Sequence, residues 1–316
     1  MLRLASSWVW AFWLVDDGES YHAFFLQAPR SLGDPNLRHD AATIGHAVSR
    51  DLRTWETAGD AIGPGLMPAF DDLAVWTGST VAGSDGKWHM FYTGVSTAEG
   101  GLVQRVGSVV SDDLYVWERP QTGPLLAADP QWYETLDAGE WPHEAWRDPW
   151  VFRDPAGDGW HMLLTARANQ GEADGRGVVG HAISADLTSW EVRPPLSRPG
   201  MGFGQLEDLQ AQAIDGRPWL FFSCHGVDMA RGRSSSGGIW AVRGTTVLGD
   251  WPVGEAQQLT DDSLYCGRAI RDRWGHWVLL AFRNVVDGEF IGEISCPMPL
   301  VLNEEGKLKI EGGAGQ

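Results

Sequence analysis

The sequence predicts an all-β fold, a single five-bladed β-propeller. Three observations predict it. A twelve-residue phrase returns along the chain, an aromatic strand phrase occurs in five copies, and helical periodicity is almost absent. The twelve-residue phrase is Gly45-His46-Ala47-Val48-Ser49-Arg50-Asp51-Leu52-Arg53-Thr54-Trp55-Glu56, repeated at 107–118 and 180–191, with a degenerate copy from 239 to 251. The aromatic phrase follows a polar or Gly turn, as in Gly18-Glu19-Ser20-Tyr21-His22-Ala23-Phe24-Phe25 and Asp85-Gly86-Lys87-Trp88-His89-Met90-Phe91-Tyr92. It returns at 158–164, 215–222 and 274–280. Units of about 60 residues, rich in strands and Gly turns, read as propeller blades. A β-sandwich is the alternative, but sandwich strands do not repeat a twelve-residue phrase.

Each unit is expected to run in one order. An inner strand lines a central channel, the aromatic strand follows, and a strand such as Gly45 to Ser49 comes third. That strand turns at Ser-x-Asp-Leu and closes on a Trp. Trp55, Trp117 and Trp190 recur at that closing position and are expected to pack between blades. His46 and His181 also recur, which points to a structural role. No linker or change of composition divides the chain, so one domain over 1–316 is expected, with Gly312–Gln316 a frayed tail and 231–238 a flexible surface loop.

Composition narrows the function. Lys and Arg number 24 against 42 Asp and Glu, a net charge of −18, so a phosphate-backbone partner is excluded. Cys224, Cys266 and Cys296 are widely spaced and odd in number, which excludes a disulfide framework and a four-thiolate zinc site. No apolar run approaches about 18 residues, so no membrane span is expected. The opening Met1 to Trp10 has one basic residue and no small-residue cleavage site, so it is not read as a leader, and a cytoplasmic protein is expected. His39-Asp40 lacks further spaced ligands, and Gly200-Met201-Gly202-Phe203-Gly204 is not followed by a helix pattern. No metal or cofactor is expected. The oligomeric state stays open.

The chemistry is expected on the inner strands. Counting back from the aromatic strands puts Asp148 and Glu207 at one register in neighbouring units, each the same number of residues before its Trp, Trp160 or Trp219. Two carboxylates facing a channel lined with Trp suit glycoside hydrolysis, with aromatic faces as platforms for sugar C–H groups. Trp10, Trp13 and Trp76 flank the inner strands and are expected to line the pocket. The long polar loop from 27 to 43 leaves the first aromatic strand toward the channel mouth, which makes His39 a candidate sugar contact. Asp208 is expected on the face opposite Glu207 unless a bulge intervenes. Asp16 and Asp17 read as an acidic hairpin turn.

Arg147-Asp148-Pro149, the downstream Glu207, Trp76-Thr77-Gly78-Ser79 and the Gly45 to Trp55 phrase together resemble the five-bladed furanosidases. These are the invertases and fructanases of glycoside hydrolase family 32 and the levansucrases of family 68, with family 43 arabinanases and xylosidases as cousins. The resemblance covers nearly the whole chain. The chain ends too early for the second β-sandwich domain usual in family 32, so an architecture nearer to family 68 is expected, and without a leader the expected substrate is a small oligosaccharide. The resemblance assigns Asp148 to transition-state stabilisation, Glu207 to general acid/base catalysis and Arg147 to orienting both carboxylates and the sugar, with Trp76 and Ser79 as substrate contacts. Levansucrases carry the nucleophile in a phrase resembling Val-Trp-Asp-x-Trp, where this chain reads Val9-Trp10-Ala11-Phe12-Trp13. Ala11 therefore occupies the nucleophile slot, and a methyl group cannot form a glycosyl ester. The expectation is a retaining β-furanosidase, most simply for fructofuranosides, in a nucleophile-deficient form, natural or engineered. The alternatives are a family-43-like inverting enzyme and a non-catalytic carbohydrate-binding propeller. Fructose against arabinose, the leaving group, and hydrolysis against transfer stay open.

Overall fold

Alternation and β-branched or aromatic content turn each repeated unit into an antiparallel sheet. A computed structural model describes residues 1–157, 159–233 and 235–311; the tail expected at Gly312–Gln316 lies outside the described residues. The first sheet holds β1 (Ser7–Asp16), β2 (Tyr21–Pro29), β3 (Thr43–Ser49) and β4 (Glu56–Ile62). The second holds β5 (Ala74–Ala82), β6 (Trp88–Val95) and β7 (Arg105–Ser111). The third holds β8 (Trp146–Arg153), β9 (Trp160–Arg167), β10 (Gly177–Ser184) and β11 (Glu191–Arg193). The fourth holds β12 (Glu207–Ile214), β13 (Arg217–His225), β14 (Gly237–Arg243) and β15 (Gln257–Gln258). The fifth holds β16 (Leu264–Arg271), β17 (Trp277–Val286), β18 (Glu289–Ile294), β19 (Met298–Leu302) and β20 (Leu308–Ile310). Among the described residues, helix is confined to short 3₁₀ turns.

The first strand of each sheet, β1, β5, β8, β12 and β16, touches its counterparts in the next sheets, and β16 returns to β1. The sheets are thus the five blades of a propeller. Leu2 exchanges both backbone hydrogen bonds with Ile294 of the fifth blade, each at 3.0 Å, beside the first blade. The apolar core lies between blades. One cluster joins blades one, two and five through residues such as Phe24, Met90 and Phe282. Others join two to three, three to four and four to five. Strand β9 is buried along its whole length, as a strand covered on both faces must be.

The Ser-x-Asp-Leu turns are built alike. Asp51, Asp113 and Asp186 each accept two backbone N–H groups through Oδ1, from Arg53 and Thr54, Tyr115 and Val116, and Thr188 and Ser189. The Leu that follows is left-handed in each, with φ of 61°, 69° and 67°. Trp117 and Trp190 set their rings edge-on to Phe24 and Phe91 of the preceding blade, the packing expected of them. His46 and His181 stack on His22 and His161, in buried pairs away from the channel. Of the segment expected to be a flexible loop at 231–238, Ser234 lies outside the described residues, and two of its other residues are held in place. The Arg233 guanidinium lies 4.1 Å from the Phe203 ring centre and 4.7 Å from that of Trp240, and Gly237 already pairs in β14.

Candidate active site

Every inner strand carries one extra residue against its neighbour. The register shifts between Trp10 and Phe12, Trp76 and Gly78, Arg147 and Trp150, Glu207 and Gln210, and Tyr265 and Arg268. A bulge of this kind re-aims side chains that strict alternation would send elsewhere. In the last three blades the bulge opens on a left-handed residue, Asp148 (φ 56°), Asp208 (φ 55°) or Cys266 (φ 51°). A pocket of about 410 Å³ lies over these bulges, lined among others by Trp10, Ala11, Thr77, Asp148 and Asp208.

This geometry corrects the register read from spacing. Asp148 is equivalent to Asp208, and Glu207 is equivalent to Arg147, each standing just before its bulge. All four nevertheless line the one pocket, because the bulge turns two consecutive residues into it. Asp208 therefore does not point to the opposite face.

Arg147 is the hub. Its guanidinium donates to Glu207 Oε1 and Gln205 Oε1 at 2.5 Å each and to Gln104 Oε1 at 3.0 Å, and its Nε stands 3.3 Å from Asp148 Oδ2. The Tyr265 hydroxyl donates to Glu207 Oε2, and His225 stacks on the Tyr265 ring. Burial works to raise the Glu207 pKa, but Arg147, His225 and Tyr265 outweigh it and hold the carboxyl at about 2. Asp148 is raised, first by burial, although Arg147 opposes the shift. Burial and then Asp148 push Asp208 up to about 8. Its Oδ1 is buried without a hydrogen-bond partner.

Asp148 is held by residues of two blades. Its N–H donates to Thr93 Oγ1 at 2.9 Å, and Thr165 Oγ1 donates to its Oδ2 at 2.8 Å. Ser79 belongs to this support. Its Oγ accepts the Val151 N–H at 2.9 Å, and it is buried outside the pocket, so it is not the substrate contact expected from its motif. Gly78 in the same phrase has a steric cause: a Cβ there would sit 1.9 Å from the Phe91 carbonyl oxygen.

One wall is aromatic. His39 stands between Trp10 and Trp76, with ring centres 5.9 and 6.1 Å away and both contacts edge-on, and the Trp76 indole donates to the His39 carbonyl at 2.9 Å. The His39 ring opens to solvent through the mouth, yet the protein crowded around it, then Arg38, lowers its pKa and keeps it neutral. Trp13 is a correction. It is fully buried, stacks on Phe24 and donates to Thr80 at 2.9 Å, away from the pocket. Asp16 and Asp17 sit at the β1–β2 hairpin as expected, Asp16 paired with Arg273 at 2.7 Å. Sequence reasoning missed Gln104, His143, Gln205, His225 and Tyr265, single polar residues without a repeated phrase to mark them.

Residues 13–287 match the model of the glycosyl hydrolases family 32 N-terminal domain. The chain belongs to glycoside hydrolase family 32. It is 25% identical to the extracellular sucrase of Zymomonas mobilis, over 92% of this chain and 78% of that protein. It is 29% identical to β-fructofuranosidase 1 of Zea mays over 60% of this chain and 26% of that one. The fold superposes on an inulosucrase from Halalkalicoccus jeotgali, solved bound to kestose, with a TM-score of 0.82 and 24% identity across 99% of this chain and 90% of that one. The family 32 domain is thus a fructofuranosidase- or transglycosylase-type glycoside hydrolase domain, with Asp148 and Glu207 in its pocket.

Proposed function

We propose that the pocket takes the terminal β-fructofuranosyl unit of sucrose or a short fructan, and that the chain as it stands cannot run the covalent half of a double displacement. One observation carries this reading: the bulge residue of the first blade is Ala11, lining the same pocket as Asp148 and Glu207. The relatives support the sugar, since their names are those of a sucrase and β-fructofuranosidases. The furanosyl ring lies against the Trp10–His39–Trp76 wall, its anomeric carbon toward Ala11. Asp148 steadies positive charge as the glycosidic bond lengthens. Glu207 faces the leaving oxygen. Arg147 and Tyr265 hold it ionised, so its acid role requires the sugar to take over part of that ion pair.

With a carboxylate at position 11 the sequence of steps closes: the nucleophile forms an ester with the anomeric carbon, Glu207 protonates the leaving oxygen, then deprotonates water or an acceptor sugar. Ala11→Asp is therefore expected to raise sucrose turnover by about 10⁴-fold or more, given what loss of a nucleophile costs. The unsubstituted chain is expected to bind sucrose in calorimetry. Binding with no turnover from either form would instead favour a carbohydrate-binding propeller, the reading that a natural Ala11 supports. Absence of both binding and turnover sinks the fructoside reading.

A further inference from the structure

A second cavity, of about 280 Å³, lies on the other side of the bulges. Leu14, Trp150, Gln210 and Arg268 line it, each beyond the bulge of its inner strand. Ala11, Asp148 and Asp208, at the bulges themselves, line the first pocket. The bulges are therefore a floor, with the first pocket above it and this cavity below.

The lower cavity is lined by two cations, Arg268 and Arg271, and two amides, Gln210 and Gln212, with no carboxylate among its described lining residues. That is a local inversion in a chain of net charge −18. Arg268 is buried and holds the floor from below. Its Nε donates to the Phe12 carbonyl at 2.8 Å, and its Nη1 to the carbonyls of Asp208 and Leu209 at 2.8 and 3.0 Å. Its Nη2 makes no hydrogen bond among the described residues, and Asp208 Oδ1 stands 3.6 Å from it. Burial and then Asp148 keep a proton on Asp208 to about pH 8, so at neutral pH this contact is not an ion pair. Carbonyl dipoles solvate the guanidinium without neutralising it, and a buried cation without an ionised partner is costly.

Two further donors stand at the same cavity. Gln212 Nε2 has only a long contact, 3.4 Å to the Ala213 carbonyl. Arg271 is exposed, its guanidinium 4.8 Å from the Trp277 ring centre, and Nη1 alone is engaged, with the Gly275 carbonyl at 3.0 Å. Gln210 is not available, because its amide exchanges two bonds of 2.8 Å with the Ala269 backbone.

We propose that the lower cavity binds a small oxyanion of the phosphate class, held by Arg268, Arg271 and Gln212 as the counter-ion of Arg268. Guanidinium and amide N–H groups donate in fixed directions, which suits an anion carrying several acceptor oxygens. The site is independent of which sugar the upper pocket takes.

The test is calorimetric titration of the unsubstituted chain at neutral pH with inorganic phosphate and, separately, with glycerol phosphate. Ionic strength is held constant, because phosphate also stabilises folded proteins without binding a site. One anion per chain is expected to bind saturably, and the tighter of the two probes tells whether the phosphoryl group is free or esterified. Gln212→Glu places a carboxylate among the donors and should weaken the binding by about tenfold or more. Arg271→Gln removes one charge at the exposed mouth and should weaken it as well. Melting temperatures report whether each variant is folded. No saturable binding of either probe at millimolar concentration overturns the proposal. So does an affinity unchanged in both folded variants, which would place the anion elsewhere, for instance at Arg147 above the floor. The parent titration needs no variant, and no sugar enters the test, so its failure is distinct from failure of the fructoside reading.

Discussion

The outer turns and the inner bulges of the blades repeat in different ways. At the outer turns both backbone and residues recur: Ser49, Ser111 and Ser184, then Asp51, Asp113 and Asp186, then a left-handed Leu. At the inner bulges only the backbone recurs, while the residues are Ala11, Thr77, Asp148, Asp208 and Cys266. Repetition with one chemistry, here in the first three blades, marks a device that those blades use for their own folding. Repetition of the backbone with changing chemistry marks a ring of positions freed for function, because the scaffold supplies the geometry whatever side chain stands there.

Removing Arg147 should have the largest effect on this contrast. It is a buried cation serving Glu207, Asp148 and two amides, all donated by bulged blades or their neighbours. Arg147→Ala leaves buried carboxylates unpaired and is expected to cost about 3–5 kcal/mol in denaturant unfolding, with loss of sucrose binding in calorimetry. A variant as stable as the parent would mean that the bulge ring does not rely on this ion network.

Ser79→Ala comes next. It strips the acceptor from the Val151 N–H, a buried donor on the strand that carries Asp148. The expected cost is about 1–3 kcal/mol. In the Ala11→Asp background it should lower kcat more than it raises KM, because Ser79 supports Asp148 without touching sugar. An equal rise in KM with unchanged kcat would return Ser79 to the substrate contacts. Asp186→Ala is the matching change at an outer turn. It removes the acceptor of the Thr188 and Ser189 N–H groups and is expected to cost about 0.5–2 kcal/mol, as a lost cap does. Sucrose affinity should not move. A change in affinity would break the division between turn and bulge.

That division also explains what could be read from the sequence. The phrase Gly45 to Glu56 and its copies exposed the blades because the turns demand Ser, Asp and Trp each time. Asp148, Glu207, Trp10, Trp76 and Arg147 were legible through their motif and their place on inner strands, and all five reach the pocket. Spacing alone gave the wrong register because Trp160 pairs with Arg153 and Trp219 with Gln212, which are not equivalent positions beyond the bulge that both strands share. Strict alternation, which the bulges break, misplaced two side chains as well. Thus Asp208 was sent away from the pocket and Trp13 toward it. His143, Gln205 and His225 come from loops and strand ends of different blades, and only closure of the ring brings them together. Tyr265 occupies the register of Arg147 and Glu207, but nothing in its own phrase announces a hydrogen bond to a carboxylate across the pocket.

The two regions also respond to pH with opposite sign. At the outer turn, hydrogen bonds from Thr54 and Arg53 lower the Asp51 pKa to about 2, so its stabilisation is present above the ordinary value of 3.8 and is lost as pH falls through about 2. At the floor, Asp208 keeps its proton in the folded state to about pH 8, while the unfolded chain releases it near 3.8. The folded state then binds the extra proton, so this contribution is present below 3.8 and is lost as pH rises through about 8. Buried neutral histidines such as His46 and His181, lowered to about 4, pull the other way, but only until the unfolded chain has lost its imidazolium protons near 6.5. The window that isolates Asp208 therefore lies above neutrality. Between about pH 7 and about pH 8 the parent should lose up to about 1 kcal/mol relative to Asp208→Asn, measured by denaturant unfolding at each pH. A constant difference across that window would mean that Asp208 is already ionised in the fold, and the floor would then follow the same sign as the turns.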